Sequence, residues 1–160
     1  MRLLLISLLA LSFSQWGGSG RIGVPLPPYE SPRLIRSFTR DAHTLKQLVI
    51  RHRFAKAVVA FDPSAPRGPE NTVTRYAFQG DTIEYYPSPT GAKLLYCSLR
   101  HAARYAKEVT LFNTRKGELL PAKYQTHQRV LVVDEAGFED LELTFSKNKV
   151  VGLRYRAHPD

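Results

Sequence analysis

The segment Val73–Tyr86, VTRYAFQGDTIEYY, contains the hairpin signature on which the fold prediction rests. Apolar and polar residues alternate on both sides of Gly80-Asp81, as they do in two antiparallel strands that each bury one face. A Gly-X pair is favoured in the two-residue type II′ turns of hairpins. With Gly80 and Asp81 in the turn, Arg75 lies opposite Tyr86 on the polar face. The segment therefore predicts a β-hairpin.

The sequence continues to predict strands after the hairpin. Lys93–Leu99 adds a third strand to the hairpin and completes a three-strand meander. A second three-strand meander is predicted from Arg129–Val133, Leu141–Phe145 and Val150–Arg156. A three-residue turn before its last strand would pair Leu143 with Leu153 and keep the apolar residues on one face, whereas a two-residue turn would separate them.

Helical spacing of apolar residues is strongest over residues 40–52, and Thr39 is the expected N-cap of that helix. A second, short helix is predicted over residues 100–107. A longer helix over residues 92–107 satisfies the same spacing and would replace the third strand of the first meander. The sequence leaves these two alternatives open.

The order of the elements predicts a single α+β domain over residues 39–160. Its antiparallel β-sheet consists of two three-strand meanders, and one or two helices pack on one face of that sheet. Residues 109–113 and 118–125 are expected to add one more hairpin between the meanders. Residues 15–38, which are rich in Gly and Pro, are predicted to be a linker.

Residues 1–14 have the pattern of a secretory signal peptide. Arg2 provides a positive charge, residues 3–11 (LLLISLLAL) are apolar, and Ser12 and Ser14 are the small residues expected before a cleavage site. An apolar segment of this length is too short to cross the ~30 Å of hydrocarbon in a bilayer. The protein is therefore predicted to be periplasmic or secreted, and not to span a membrane.

The single cysteine, Cys97, excludes an internal disulfide and a multi-cysteine zinc site. It lies in the apolar run LLYCSL and is predicted to be buried. The sequence contains no G-x-G-x-x-G, P-loop, H-E-x-x-H or G-x-S-x-G motif, so no cofactor, metal or catalytic residue is predicted. A hydrolase would have to depend on His101 or on the carboxylates between Asp134 and Asp140, for which turn formation is the preferred explanation.

Positive charge is spread along the chain, with 23 Lys and Arg against 14 Asp and Glu and a net charge of +9 at pH 7. This surplus supports weak, salt-sensitive association with polyanions. No nucleic-acid-binding motif is present, and no nucleic-acid partner is predicted. The candidate binding residues are Arg75 and Tyr86 on the polar face of the hairpin, with Arg100 and Arg104 in the Arg-rich middle segment. Arginine and tyrosine are frequent anchors for a protein partner.

The two meanders share the spacings Phe78-x4-Ile83 and Phe145-x4-Val150, each followed by a strand end that carries a tyrosine. A helix and a three-strand meander, used twice over residues 40–156, resembles the fold family of the β-lactamase inhibitor protein and the small outer-membrane-assembly lipoproteins. The chain lacks the lipidated cysteine of the lipoprotein members, and its second helix is short. A cone-shaped α+β fold similar to nuclear transport factor accommodates the same elements. The resemblance implies a binding module rather than an enzyme.

The predicted function is therefore non-catalytic binding of an envelope or extracellular partner, in the first place a protein. One alternative is a small-ligand pocket protein or a hydrolase, and another is an electrostatic polyanion-binding factor. A deep pocket lined by His101 or by the carboxylates of residues 134–140 would favour a ligand or a substrate. A flat or basic face over a solid core would favour a protein partner.

Overall fold

The computed structural model describes residues 26–40, 42–66, 68–89 and 91–158, without the side chains of residues 42–44 and 69. The predicted signal peptide, residues 15–25 of the predicted linker and Asp41 lie outside the described residues. No helix in the described part of the chain is both long and apolar enough to cross a membrane.

A single mostly antiparallel β-sheet of eight strands forms the centre of the described structure. Its spatial order is β1-β6-β7-β8-β5-β4-β3-β2, and β1 and β6 are the parallel neighbours. The strands are β1 (Tyr29–Glu30), β2 (Ala55–Ala60), β3 (Thr72–Phe78), β4 (Asp81–Tyr86), β5 (Lys93–Leu99), β6 (Arg129–Val133), β7 (Glu139–Ser146) and β8 (Lys149–Ala157). The two predicted meanders are thus joined into one sheet by the pairing of β5 with β8.

Four helices are described, and the mixed α+β class predicted from the sequence is confirmed. They are α1 (Pro32–Arg40), α2 (Ala42–Arg51), α3 (Ala102–Tyr105) and α4 (Lys116–Leu119). Helix α1 contacts β6 and β7, while α2 lies against β3 and β4. We call the face of the sheet on which they pack the inner face.

The core lies between these helices and the inner face. Strand pairing aligns Ile83, Cys97, Tyr155, Leu141 and Val132 in one row across five neighbouring strands. All five side chains are buried, because alternate residues of each strand point to the same side. The burial predicted for Cys97 is confirmed.

The hairpin of β3 and β4 forms as predicted, but its turn is Gln79-Gly80 rather than Gly80-Asp81. Both turn residues have positive φ, 48° and 86°, as a type I′ turn requires. The register therefore differs from the prediction by two residues, which leaves every side chain on its predicted face. Arg75 lies opposite Glu84 and not opposite Tyr86.

The pairing of β7 with β8 was predicted correctly for Leu143 with Leu153, but the turn length was wrong. The strands turn at two residues, Lys147-Asn148, and a register shift between Thr144 and Phe145 absorbs the difference. A bulge of this kind adds one residue to one strand, so a short turn and correct apolar faces are compatible.

The predicted linker ends earlier than residue 38, because β1 and α1 belong to the fold. Proline is well suited to the first turn of a helix, where its missing N–H leaves no hydrogen bond unmade, and Pro32 occupies that position. Ile35 and Phe38 are the buried residues of α1. Thr39 therefore lies inside α1, where its hydroxyl donates to the Ile35 carbonyl at 3.2 Å, and it is not the cap of α2.

Between β5 and β6, the predicted strand of residues 93–99 is confirmed, and the alternative long helix is wrong. The short helix that follows is limited to α3. The predicted hairpin of residues 109–125 is also wrong, since 3₁₀ turns and α4 occupy this segment. Leu111 and Phe112 lie in one of these 3₁₀ turns, which packs against β8, and both side chains are buried.

Candidate functional site: a cleft at one end of the sheet

A cleft of about 730 Å³ opens on the inner face, at the end of the sheet where β4 and β8 finish. We call it the main cleft. The β4–β5 loop, the end of β8 and the β6–β7 turn form its walls. The register between β4 and β5 shifts at Glu84/Tyr85, and Leu94 and Leu95 are both buried in the cleft floor beside this irregularity. Its volume lies within the ~300–1,000 Å³ of small-molecule sites.

Two carboxylates and a tyrosine form the polar part of the main cleft. The Tyr155 hydroxyl donates to Glu139 Oε1 at 2.5 Å, and the Glu139 backbone N–H donates to Asp134 Oδ1 at 3.2 Å. Burial, and next the bond to Glu139, raises the pKa of Tyr155 far above its usual value. The hydroxyl therefore stays protonated and acts as a hydrogen-bond donor to Glu139.

The rim of the main cleft carries both charge signs and one exposed ring. His158 Nε2 lies 2.9 Å from Asp140 Oδ2, and Lys93, which also belongs to the lining, is exposed. Phe138, on the β6–β7 turn, is 49% exposed. An apolar floor with two acceptor carboxylates inside and a polar rim is the usual make-up of a ligand site.

A second depression of about 430 Å³ continues from the main cleft, and the two share Pro87 and Ala92. It lies between α2 and strands β3 and β4, and we call it the apolar groove. Tyr76 and Tyr85 form its floor, and Ile50 on its wall is 72% exposed. The inner face is therefore covered by helices only in part.

At the opposite end of the sheet, Asp81 is fully buried and accepts hydrogen bonds from three groups. These are the Arg100 backbone N–H at 2.7 Å, the Tyr105 hydroxyl at 2.6 Å and, at 3.0 Å, His101 Nδ1. Burial, and next the bond to Asp81, raises the pKa of Tyr105 to about 12. Asp81 thus fixes the corner between β5 and α3.

A second buried carboxylate, Glu108, joins α2 to the segment after α3. Its Oε1 accepts from Arg51 Nη1 at 2.5 Å and lies 3.7 Å from His52 Nε2. Buried polar atoms without a partner in the described structure are Glu108 Oε2, His52 Nε2 and Arg104 Nη1. The His52 ring is edge-on to Tyr105 at 5.0 Å, so the cluster surrounds the same tyrosine that bonds Asp81.

The four predicted binding residues are not brought together. Arg75 is paired with Glu84 at 2.5 Å on the outer face, and the Tyr86 hydroxyl donates to the Glu70 carbonyl at 2.7 Å. Tyr86 also contributes to the wall of the main cleft. Arg100 and Arg104 lie at the Asp81 end, together with His101. Of the carboxylates of residues 134–140, in contrast, Asp134 and Glu139 line the main cleft, whereas Glu135 and Asp140 lie outside its lining.

Three arginines, two of them within the predicted linker, form an exposed face of α1, which we call the arginine face. Arg33, Arg36 and Arg40 recur every three or four residues and therefore lie on one side of the helix. No carboxylate in the described part of the chain lies within ion-pairing distance of them, and Arg36 Nε donates to the Pro32 carbonyl at 3.3 Å. Helical spacing from Pro32 onward is the signal that could have found this face.

No group of three or more His, Cys, Asp and Glu side chains suited to a metal occurs among the described residues. Burial, and next the charge of Asp81, raises the pKa of the Cys97 thiol well above its usual range. Cys97 is therefore a packed, protonated side chain. Comparison of the chain with protein-family models, with curated proteins and with solved structures gave no match.

Proposed function

We propose that this protein is a non-catalytic binding protein that holds a small amphipathic molecule in the main cleft. The observation that carries the proposal is the combination of a 730 Å³ apolar cleft with the inward carboxylates of Asp134 and Glu139. From the sequence, a pocket lined by His101 or by the carboxylates of residues 134–140 favours a ligand-binding function; Asp134 and Glu139 line the main cleft, whereas His101 does not. The signal-peptide pattern of residues 1–14 supports a periplasmic or secreted site of action.

The lining of the cleft indicates the chemistry of the ligand. Ionised carboxylates accept hydrogen bonds and cannot donate them, so the ligand must supply N–H or O–H donors. The floor of Leu94, Leu95 and the Tyr155 ring requires an apolar body on the same molecule. We therefore infer a ligand that carries an ammonium or hydroxyl group on a hydrocarbon or aromatic body.

Binding is favoured over hydrolysis because both carboxylates already hold protein donors. Tyr155 donates to Glu139, and Asp134 accepts from the backbone of the same turn. A glycoside hydrolase needs one carboxyl group as a proton donor and the other as a base or nucleophile. Carboxylates anchored by hydrogen bonds to their charged forms are suited to holding a donor group in place.

Three ring-bearing probes that differ in one group test this proposal: phenethylamine, 2-phenylethanol and 3-phenylpropanoate. Binding is measured by chemical-shift titration of ¹⁵N-labelled protein, residues 15–160. We expect the amine and the alcohol to shift amides of the β6–β7 turn and the β4–β5 loop, and the carboxylate to leave them unchanged. Asp134→Asn should weaken amine binding at least ~tenfold, since a hydrogen bond to a charged group contributes ~1.5–3 kcal/mol.

The chain provides matched controls for both features of the cleft. Glu135→Gln removes an exposed charge from the same turn outside the cleft lining and should leave amine binding unchanged. Ala92→Trp should block the cleft, whereas Ala136→Trp, at an exposed position outside the lining, should not. Absence of binding for all three probes, or binding that Ala92→Trp leaves intact, would contradict the proposal.

The arginine face favours a second function, salt-sensitive association with a polyanion. Exposed guanidinium groups without carboxylate partners are available to bind sulfate, phosphate or carboxylate groups. A heparin column tests this. Replacing Arg33, Arg36 and Arg40 together by Gln should lower the eluting salt concentration more than the same change at the exposed cations Arg129, Lys147 and Lys149. Equal shifts for the two triple variants would show that only net charge matters.

A further inference from the structure

Strand β2 forms one edge of the eight-stranded sheet and has features that usually promote pairing with another strand. Its sequence, AKAVVA, contains no proline and one charge, and its register with β3 is regular. Proteins ordinarily protect an exposed edge with charges, prolines or bulges. Val58 is 66% exposed on this edge, and Phe61, just after the strand, is 45% exposed.

The pairing of β2 with β3 shows which backbone groups face the open edge. The Phe61 N–H donates to the Asn71 carbonyl at 2.9 Å, in register with the strand pairs Val59–Val73 and Ala57–Arg75. In an antiparallel ladder, the backbone N–H and C=O groups of every second residue bond to the same neighbouring strand. The backbone groups of the odd-numbered residues therefore bond β3, while the N–H and C=O of Lys56, Val58 and Ala60 point away from the sheet.

We propose that β2 is a homodimer interface, in which the β2 strands of two copies of this chain pair antiparallel with Val58 opposite Val58 of the second copy. This register places Lys56 opposite Ala60 of the second copy. Every β2 residue whose backbone N–H and C=O point away from β3 is then paired with another such residue. A register centred on Ala57 would leave Ala60 unpaired. The two sheets would then continue as one sheet of sixteen strands.

A second copy fits this edge because the edge is complementary to itself. In the proposed register the apolar side chain of Val58 meets its own copy on the inner face. The single charge of the strand, on Lys56, meets an alanine and not another lysine. A two-fold axis perpendicular to the sheet keeps both inner faces on the same side. The apolar grooves of the two copies, with Ile50 on their walls, then flank the seam.

Analytical ultracentrifugation of residues 15–160 over a range of concentrations tests the interface. We expect a monomer–dimer equilibrium that Val58→Pro shifts to the monomer, weakening association at least ~tenfold. Because the Val58 N–H points away from β3, proline at this edge position removes no hydrogen bond of the monomer's sheet. Leu131→Lys, at an exposed apolar position on β6, is the control and should leave the dimer intact.

Cysteine cross-linking tests the register. Facing residues in a hydrogen-bonded antiparallel pair have Cα atoms ~5.5 Å apart, within disulfide range. Val58→Cys should therefore give a disulfide-linked dimer under mild oxidation. Lys56→Cys should not, because the two copies of residue 56 would lie ~14 Å apart along the strands. Cross-linking at residue 56 instead of residue 58 would overturn the register.

Two results would overturn the dimer itself. The first is a monomer at every concentration up to about 1 mM, the range of the weakest associations normally measured. The second is a dimer that Val58→Pro leaves unchanged. A third outcome is a monomer in which the β2 amides are protected from hydrogen exchange only when a strand of another protein is added. That result would assign the edge to that protein and would also overturn the proposal.

Discussion

The two ends of the sheet contain the same pair of groups in different settings. At one end the Tyr105 hydroxyl donates to Asp81 at 2.6 Å, and at the other the Tyr155 hydroxyl donates to Glu139 at 2.5 Å. Burial and the carboxylate raise the pKa of both tyrosines. The tyrosine–carboxylate pair alone therefore does not distinguish a structural site from a binding site.

The difference lies in what else the carboxylate contacts. Asp81 is fully buried, and the Arg100 backbone and His101 supply two further hydrogen-bond contacts. Glu139 is half-buried and lines a cleft, with Tyr155 as its hydroxyl donor. We infer that Asp81 stabilises the fold, whereas Glu139 retains acceptor capacity for a ligand.

The largest effect is expected from Asp81→Ala. It removes a fully buried acceptor of three hydrogen bonds and leaves the Tyr105 hydroxyl without the carboxylate to which it donates, which should cost about 4 kcal/mol of unfolding free energy. Urea denaturation measures this. Glu142→Ala, which removes a carboxylate paired with Arg154 on the outer face, should cost less than ~1 kcal/mol. Similar losses for both variants would show that Asp81 is not a structural centre.

The two tyrosines provide a more direct comparison, with smaller expected losses of unfolding free energy. Tyr105→Phe should destabilise the protein by about 2 kcal/mol, because buried Asp81 loses a donor that water cannot replace. Tyr155→Phe should cost about 1 kcal/mol, because water in the main cleft can hydrate Glu139. Thermal and urea unfolding of both variants measure the difference. If Tyr155→Phe were the more costly change, the assigned roles of the two ends would be reversed.

A smaller effect concerns the pH dependence of stability through Cys97, which lies in the buried row between the two ends. Burial raises the pKa of the folded thiol, whereas the unfolded thiol ionises near its usual ~8.5. The unfolded state therefore loses a proton first, and stability falls as pH rises above that value. The loss attributable to Cys97 between pH 8.5 and 9.5 should be about 1 kcal/mol.

Cys97→Ala should abolish this part of the alkaline loss and leave the smaller contribution of the buried tyrosines. Urea denaturation at closely spaced pH values compares the slopes of the two proteins, so a constant cost of the alanine cavity does not interfere. An unchanged slope in Cys97→Ala would show that the thiol is already ionised or accessible in the folded protein.

Much of the sheet was predictable because its signals are local. The apolar runs in residues 93–99 and 129–133 predicted strands with the observed bounds. The register of β3 and β4 was less accessible, because Gln79 adopts a positive φ that its residue type disfavours. For β7 and β8, the two-residue turn was rejected because it would separate the apolar residues. The bulge between Thr144 and Phe145 keeps them on one face despite the short turn.

The site was predictable only in part. The carboxylates of residues 134–140 were identified as an alternative, but Tyr155 and the cleft floor come from other strands that pairing brings together. The roles of Asp81 and Tyr105 could not be inferred, since an aspartate after a glycine has the features of a turn residue. The arginine face was missed because Pro32 was read as part of a linker.

The sequence by itself determined the α+β class, the strand content of both meanders and the burial of Cys97, while the export signal stays a prediction. These follow from periodicity, composition and short motifs, which act over a few residues. Tertiary structure decided which strands became edges, which carboxylate was buried and where the inner face stayed open. Those outcomes depend on the pairing of β5 with β8 and on helix coverage, and both join residues far apart in the chain.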